Sequence, residues 1–205
     1  MYKLKEPWQL TLASASPRRQ RLLAQTGLEF KIQPVEMEEK INQTRPLGSE
    51  AQRLALLKAL TFTTLQPHQV ILTADTLVGI NGQTLGKPAS VEEAVEMLNM
   101  LSGNTHQVAT GFCLAGQGRD MDDQWMESGH QLTSVTFRNL SHDEIRAYVA
   151  CNQSMDKAGA YGIQKTGAVL VESINGNFHN VVGLPLAKVI EKMLAYNIIT
   201  PHIQH

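Results

Sequence analysis

The chain has 205 residues, 42% hydrophobic and 18% charged, with two cysteines and a formal net charge of −1 at pH 7. That composition suits one sizeable globular domain, or two small lobes sharing a core, and excludes a disordered or fibrous chain. The near-neutral balance supplies no global attraction to nucleic acid or to an anionic membrane, so any recognition of phosphate has to be local. Cys113 and Cys151 lie far apart and outside any zinc-ligand spacing, which predicts buried thiols in a reducing compartment rather than a disulfide framework. The N-terminus lacks the apolar core of a signal peptide and no apolar run approaches ~18 residues, so a soluble, cytoplasmic protein is expected.

Along the chain, strands and helices alternate. Trp8–Ala13 reads as a strand, Pro17–Thr26 as a helix stopped by Gly27, and Glu29–Val35 as a second strand with Phe30 and Ile32 alternating. A polar connector with Glu36, Glu38 and Glu39 follows. Ser49–Leu65 shows helical spacing at Leu54, Leu57 and Leu60, and Gln69–Ala74 is a short strand whose Val70-Ile71-Leu72 run suits burial on both faces. Leu77–Ile80 leads into Asn81-Gly82, a hairpin signal. Ser90–Leu101 is a helix with Ser90 and Glu93 at capping-box spacing and Ala94, Leu98 and Leu101 on its apolar side. Thr105–Ala115 and Trp125–Arg138 read as a long antiparallel pair joined by the polar turn Gly116–Asp123. Ser141 and Glu144 box a helix through Val149, and Ala168–Ile174 is a strand closed by Asn175-Gly176. The last helix, Leu184–Tyr196, starts with Pro185 and carries Val189, Ile190, Met193 and Leu194 as its core stripe. The expected architecture is α/β: one domain over residues 1–205, a mixed twisted sheet flanked by helices, and a cleft between two lobes.

Four segments carry chemistry. In Leu12-Ala13-Ser14-Ala15-Ser16-Pro17-Arg18-Arg19, Ser16 is a good N-cap and Pro17 a good first helical residue, which puts two arginines in the first turn. Cations there oppose the helix dipole by roughly 0.3–1 kcal/mol each, whereas a bound phosphate is favoured by dipole, free N–H groups and both guanidiniums. The alternative is that both simply point into solvent. Asp75 follows the apolar run Val70–Ala74, where a carboxylate at a strand end faces a ligand crevice or caps a turn. Lys87 ends Gly82-Gln83-Thr84-Leu85-Gly86-Lys87, which is not a Walker motif because Pro88 stands where Ser or Thr would be needed. Lys58 reads as a snorkelling surface lysine, although both lysines have the reach to meet a phosphate. In Asp156-Lys157-Ala158-Gly159-Ala160-Tyr161-Gly162-Ile163-Gln164, the glycines permit close backbone approach, to a ligand or in a tight turn, and the Gln164 amide matches the edge of uracil or thymine. None of the seven histidines has ligand spacing.

Together with Leu101-Ser102-Gly103 and Val182-Gly183-Leu184-Pro185, these segments occur in the order seen in the Maf family of nucleoside triphosphate pyrophosphatases, and the resemblance spans nearly the whole chain. It implies an ITPase-like fold and hydrolysis between the α and β phosphorus atoms with a divalent metal, magnesium or manganese. It implies Asp75 as general base, and Ser14, Arg18, Arg19, Lys58 and Lys87 as binders of the triphosphate. Glu39 and Asp75 are the implied metal residues. Arg18, Thr76 and Gln164 match the positions that separate a dTTP/UTP branch from a 7-methyl-GTP branch, and here they resemble the dTTP/UTP branch. Lys165 departs from that pattern, which has glycine there. A homodimer is implied by analogy, with no nucleic-acid or membrane partner. The competing expectations are a 7-methyl-GTP pyrophosphatase and a nucleotide-binding regulator of septum formation that does not hydrolyse.

Overall fold

The computed structural model describes residues 1–38, 40–120, 123–151 and 154–202. Its strands are β1 (Tyr2–Leu4), β2 (Gln9–Leu12), β3 (Lys31–Ile32), β4 (Gln69–Ile80), β5 (Gln83–Leu85), β6 (Thr105–Gln117), β7 (Gln124–Phe137), β8 (Val171–Asn175) and β9 (Ile199–Pro201). Its helices are α1 (Pro17–Ala24), α2 (Leu47–Leu60), α3 (Val91–Leu101), α4 (His142–Ala150), α5 (Phe178–Val182) and α6 (Leu186–Ala195). Among the described residues, seven strands form one mixed sheet in the order β3-β2-β4-β6-β7-β8, with β5 on β4, while β1 and β9 make a separate antiparallel ribbon. No helix among them is long and apolar enough to cross a membrane.

The position of the site follows from one irregularity. β2 runs parallel to β4 only as far as the Leu12–Leu72 pair, and β5 rejoins β4 only at Val78. Between these points Thr73–Leu77 keep β6 as their strand neighbour on one side and have an open edge on the other. A sheet that parts at the carboxyl end of a parallel strand leaves a crevice there. This corrects the expected end of the strand at Ala74: β4 continues through Asp75 to Ile80, so Asp75 is a mid-strand residue, not a turn residue.

Side-chain alternation along β4 then distributes its residues between two faces. Val70, Leu72 and Ala74 pack with Leu22, Leu23, Val189 and Met193 from α1 and α6, and further along Val78 and Ile80 pack with Leu98, Val108 and Phe137. Ile71 and Leu77 face α2, packing with Ala55 and Ala59 and with Ala51 and Leu54 respectively. Asp75 therefore lies on the α2 face and Thr76 on the opposite one, astride the open edge.

Local signals decided the helices well. α4 has the full Ser141–Glu144 capping box. In α3, Ser90 Oγ accepts the Glu93 N–H at 3.1 Å, and the Glu93 carboxylate accepts from Ala89 N–H instead of from Ser90. Other boundaries moved. The strand expected over Glu29–Val35 shrinks to the exposed edge pair Lys31–Ile32, and the helix expected over Ser49–Leu65 is Leu47–Leu60. The stretch expected to be strand from Ala168 is a 3-10 turn over Lys165–Leu170, with pairing starting at Val171. A Cβ at Gly167 would lie 1.8 Å from the Gly162 carbonyl oxygen, so the chain is folded back on itself there. The last helix begins at Leu186, with Pro185 at its N-cap, after a separate short α5 that ends at Gly183 with φ +127°. The β1–β9 ribbon was not expected, since it joins three-residue strands from opposite ends of the chain.

Candidate active site

The crevice encloses about 900 Å³ and is lined by Ser14, Arg18, Arg19, Lys58, Asp75, Thr76, Lys87 and Gln164. Every site residue expected from the sequence is thus brought to one cleft, except Glu39, which lies outside the described residues.

On the α2 face, Lys58 Nζ donates to Asp75 Oδ1, and both side chains are buried. This corrects the reading of Lys58 as a snorkelling surface lysine. The contact is set by how closely α2 rides on the sheet. Thr73 Oγ1 donates to the Ala55 carbonyl at 2.7 Å, and Gly111, which faces Asp75 across β4 and β6, leaves no room for a side chain beneath the Ala51 backbone. Lys58 thus meets the carboxylate two turns beyond Ala51. Lys58 holds Oδ1; Oδ2 is also buried.

On the other face, the first turn of α1 points its N-terminus into the cleft. Ser16 starts the helix as expected but makes no side-chain cap; Ser14 Oγ accepts the Ser16 N–H at 3.2 Å instead. Arg19 donates from Nε to the Gly183 carbonyl at 2.8 Å, from Nη2 to Thr76 Oγ1 at 3.1 Å and from Nη1 to Ser14 Oγ at 3.4 Å. Thr76 is fixed in turn by Thr110 at 2.9 Å. The Thr110 N–H and hydroxyl are both bound to the fully buried Asn180, at 3.0 and 2.9 Å. Neither arginine simply points into solvent, because Arg18 donates to Asp156 Oδ2 at 2.8 Å.

The third wall is the segment from Asp156 to Gln164. Gly159 and Ala160 both have positive φ, +66° and +62°, and a Cβ on Gly159 would press on Val78 at 3.1 Å, so this bend needs its glycine. Gly159 N–H donates to Gly86 O at 3.0 Å, which ties the segment to the residue before Lys87. Two buried aromatic hydroxyls brace it: Tyr148 accepts the Gly162 N–H at 3.1 Å, and Tyr161 shares a 2.7 Å hydrogen bond with His106 Nε2. Burial lowers His106 to about 4 and raises Tyr161, so both are neutral near pH 7. Burial works to raise the Asp156 carboxyl, but hydrogen bonds from Lys157 and Arg18 outweigh it and hold the group below its ordinary value. Lys165, beside Gln164, has φ +55°, a backbone conformation that suits glycine.

The sequence reading missed Thr110, Asn180, His106 and Tyr148, and gave Asp156 no role of its own. All five act through other residues, by hydrogen bonds between segments distant in sequence, and no spacing rule announces them.

A family model described as Maf-like protein matches residues 9–196. The chain belongs to the Maf family. A dTTP/UTP pyrophosphatase of Moorella thermoacetica is 46% identical to this Maf chain over 92% of it and 95% of the relative. Similar proteins of the same name come from Salmonella typhimurium, 44% identical over 92% and 93%, and from Thermococcus onnurineus, 45% identical over 86% and 92%. A solved HAM1 protein from Coxiella burnetii overlays 92% of the chain and 99% of its own with a TM-score of 0.46 and 15% identity.

The donor set of the Maf cleft fits a hard divalent cation. Magnesium characteristically takes one or two carboxylate oxygens and completes its shell with water and substrate phosphates, rather than an all-protein cage. The buried Asp75 carboxylate is one such donor, in a cleft where Arg18, Arg19, Lys58, Lys87 and Lys157 outnumber the one other lining carboxylate, Asp156, and so can hold phosphates beside it. The described residues contain no cluster of three or more His, Cys, Asp or Glu ligands.

Proposed function

We propose that this Maf protein hydrolyses dTTP and UTP to the nucleoside monophosphate and pyrophosphate. The observation that carries the reading is the buried Lys58–Asp75 pair, set in the same cleft as the N-terminus of α1, Arg19 and Lys87. It puts a lysine-oriented carboxylate beside a site suited to a chain of phosphates. The curated relatives bearing the dTTP/UTP pyrophosphatase name, at 42–46% identity over most of the chain, support the same assignment.

In this mechanism Asp75 takes the proton of a water as its oxygen bonds to the α phosphorus. The bond from the α phosphorus to the bridging oxygen breaks, and its electron pair leaves with pyrophosphate. Lys58 donates to Oδ1, which fixes the plane of the carboxylate that takes the proton. Charge grows on the departing pyrophosphate, where fixed cations and helix N–H groups stabilise it without reorganising; Arg19, Lys87 and the start of α1 have that role. Asp75 and Glu39 are the residues that would hold a divalent cation, whose charge would add to the neutralisation of the phosphates. Thr76 and Gln164 select the pyrimidine, Gln164 through its amide donor and acceptor.

The test is pyrophosphate release from dTTP, UTP and 7-methyl-GTP at equal concentration, with magnesium or manganese, by the native protein and by Asp75→Asn. Asn keeps a side-chain oxygen for Lys58, so the variant is expected to fold, bind nucleotide and release nothing. Preference for the methylated purine would overturn the substrate assignment. Nucleotide binding with no release in either metal would favour a regulator that only binds.

A further inference from the structure

The two adjacent arginines of α1 are committed to different walls of the cleft. Arg19 is tied to Ser14, Thr76 and Gly183. Arg18 instead spends both ends of its fork on one residue of the opposite wall: Nη1 on Asp156 Oδ2 at 2.8 Å, and Nη2 on the Asp156 carbonyl at 3.4 Å. The second carboxylate oxygen of Asp156 is bound by Lys157, whose Cδ and Cε occupy the space a Cβ on Gly162 would need. Asp156 therefore links the first turn of α1 to the backbone that leads into Ile163 and Gln164.

We infer that Asp156 is a positioning residue for substrate selection, holding the Arg18 guanidinium against the base-reading wall and away from the phosphates. The inference rests on the reading of this cleft as a pyrimidine triphosphate site. Its physical basis is competition: a carboxylate and a phosphate accept from the same guanidinium fork, and the fork cannot serve both at full strength. A carboxylate at the rim of a site for a polyanion also repels its substrate unless it is neutralised. Here Arg18 and Lys157 both neutralise it. The Arg18 side chain is 25% exposed and that of Asp156 61% exposed, and ion pairs so open to water contribute little to folding. The contact has a geometric consequence larger than its energetic one. It turns a helix-start arginine, which the sequence alone assigns to phosphate, into part of the wall that carries Gln164.

The experiment compares kcat and KM for dTTP, UTP and dGTP, together with inhibition by pyrophosphate, in the native protein, Asp156→Asn, Asp156→Glu, Arg18→Ala and the double variant Arg18→Ala/Asp156→Asn. Failure of the native protein to release pyrophosphate from dTTP or UTP would sink the underlying reading before any variant is compared. With that activity present, Asp156→Asn is expected to lower the dTTP-to-dGTP ratio of kcat/KM by about tenfold, the scale of one oriented charged hydrogen bond. Inhibition by pyrophosphate should stay within about twofold of native, since uniform phosphate binding is untouched. Asp156→Glu should retain most of the selectivity, and the double variant should be no less selective than Arg18→Ala. A selectivity ratio unchanged in Asp156→Asn overturns the inference, and if pyrophosphate then inhibits more strongly, Arg18 is a phosphate ligand that Asp156 restrains. Independent, multiplying effects of the two substitutions overturn it as well.

Discussion

A single methyl group at position 111 should uncouple α2 from the sheet. Gly111 pairs with Asp75 across β4 and β6, and an ideal Cβ there would lie 2.2 Å from the Ala51 carbonyl carbon and oxygen and 2.3 Å from the Gln52 amide nitrogen. Ordinary contact between such atoms is about 3.5 Å, so Gly111→Ala demands roughly 1.3 Å of separation. The obstructing atoms are helix backbone, which has no rotamer to escape into, so the cost belongs at the upper end of the ~1–3 kcal/mol typical of overpacking. At ~2–4 °C per kcal/mol for a domain of this size, a cost of ~3 kcal/mol lowers the thermal midpoint by about 6–12 °C. The effect on turnover is larger in proportion. Lys58 rides on the displaced helix, and a misplacement of ~1 Å at the reacting groups is worth about 10²-fold in rate. Gly79→Ala is the matched control on the same helix–sheet interface. The atoms nearest its Cβ would all belong to the Leu47 side chain, Cδ2 at 2.8 Å, Cδ1 at 3.2 Å and Cγ at 3.4 Å, a flexible group rather than helix backbone. Thermal melts and pyrophosphate release from dTTP, measured on both variants, decide the matter. Melting points within about 2 °C of each other and equal rates would refute the claim that this backbone contact sets the Lys58–Asp75 geometry.

Two further outcomes concern the wall around Gln164. Lys165→Gly relieves a left-handed lysine but loosens the unfolded chain, for a net gain of about 0.5–1 kcal/mol, read as a rise of about 1–4 °C in the melting point; a fall would show that Lys165 makes contacts worth more than its strain. His106 is held neutral by burial at a value of about 4, below its ordinary 6.5, so between those limits the unfolded chain binds a proton that the native one refuses. Stability contributed by keeping it neutral is complete above about pH 6.5 and falls as the pH drops toward 4, by up to about 3 kcal/mol. Urea titrations across that window should show a shallower slope for His106→Gln than for the native protein, and identical slopes would remove His106 from the account.

The helices were legible because their determinants are local: caps at Ser90 and Ser141, a proline at the start of α1, and apolar residues at helical spacing. β4 was only half legible. Its first residues are buried on both faces and read as an apolar run, whereas after Ala74 the alternate residues belong to different neighbours, and Asp75-Thr76 carries no periodic signal at all. The strand continues there because β6 supplies its hydrogen bonds from more than thirty residues away, and no window of sequence contains that information. The same holds for the partners of the site residues: the motifs identify which side chains meet in the cleft, but the division of Arg18 from Arg19 depends on residues 156, 76 and 183 closing around α1. Lys58 is different, because a usable signal was present. Ala51, Leu54, Ala55 and Ala59 form the buried stripe of α2, and Lys58 falls on it, seven residues after Ala51 and four after Leu54. A lysine on an alanine-rich stripe that packs against a sheet has no room to snorkel to water, since small side chains draw the helix backbone close. It has to find an anion on the sheet itself, and the described carboxylate on the strand face turned toward α2 is Asp75. The helix stripe thus predicts a buried lysine that needs an anion, and the continuation of β4 past Ala74 supplies it as Asp75.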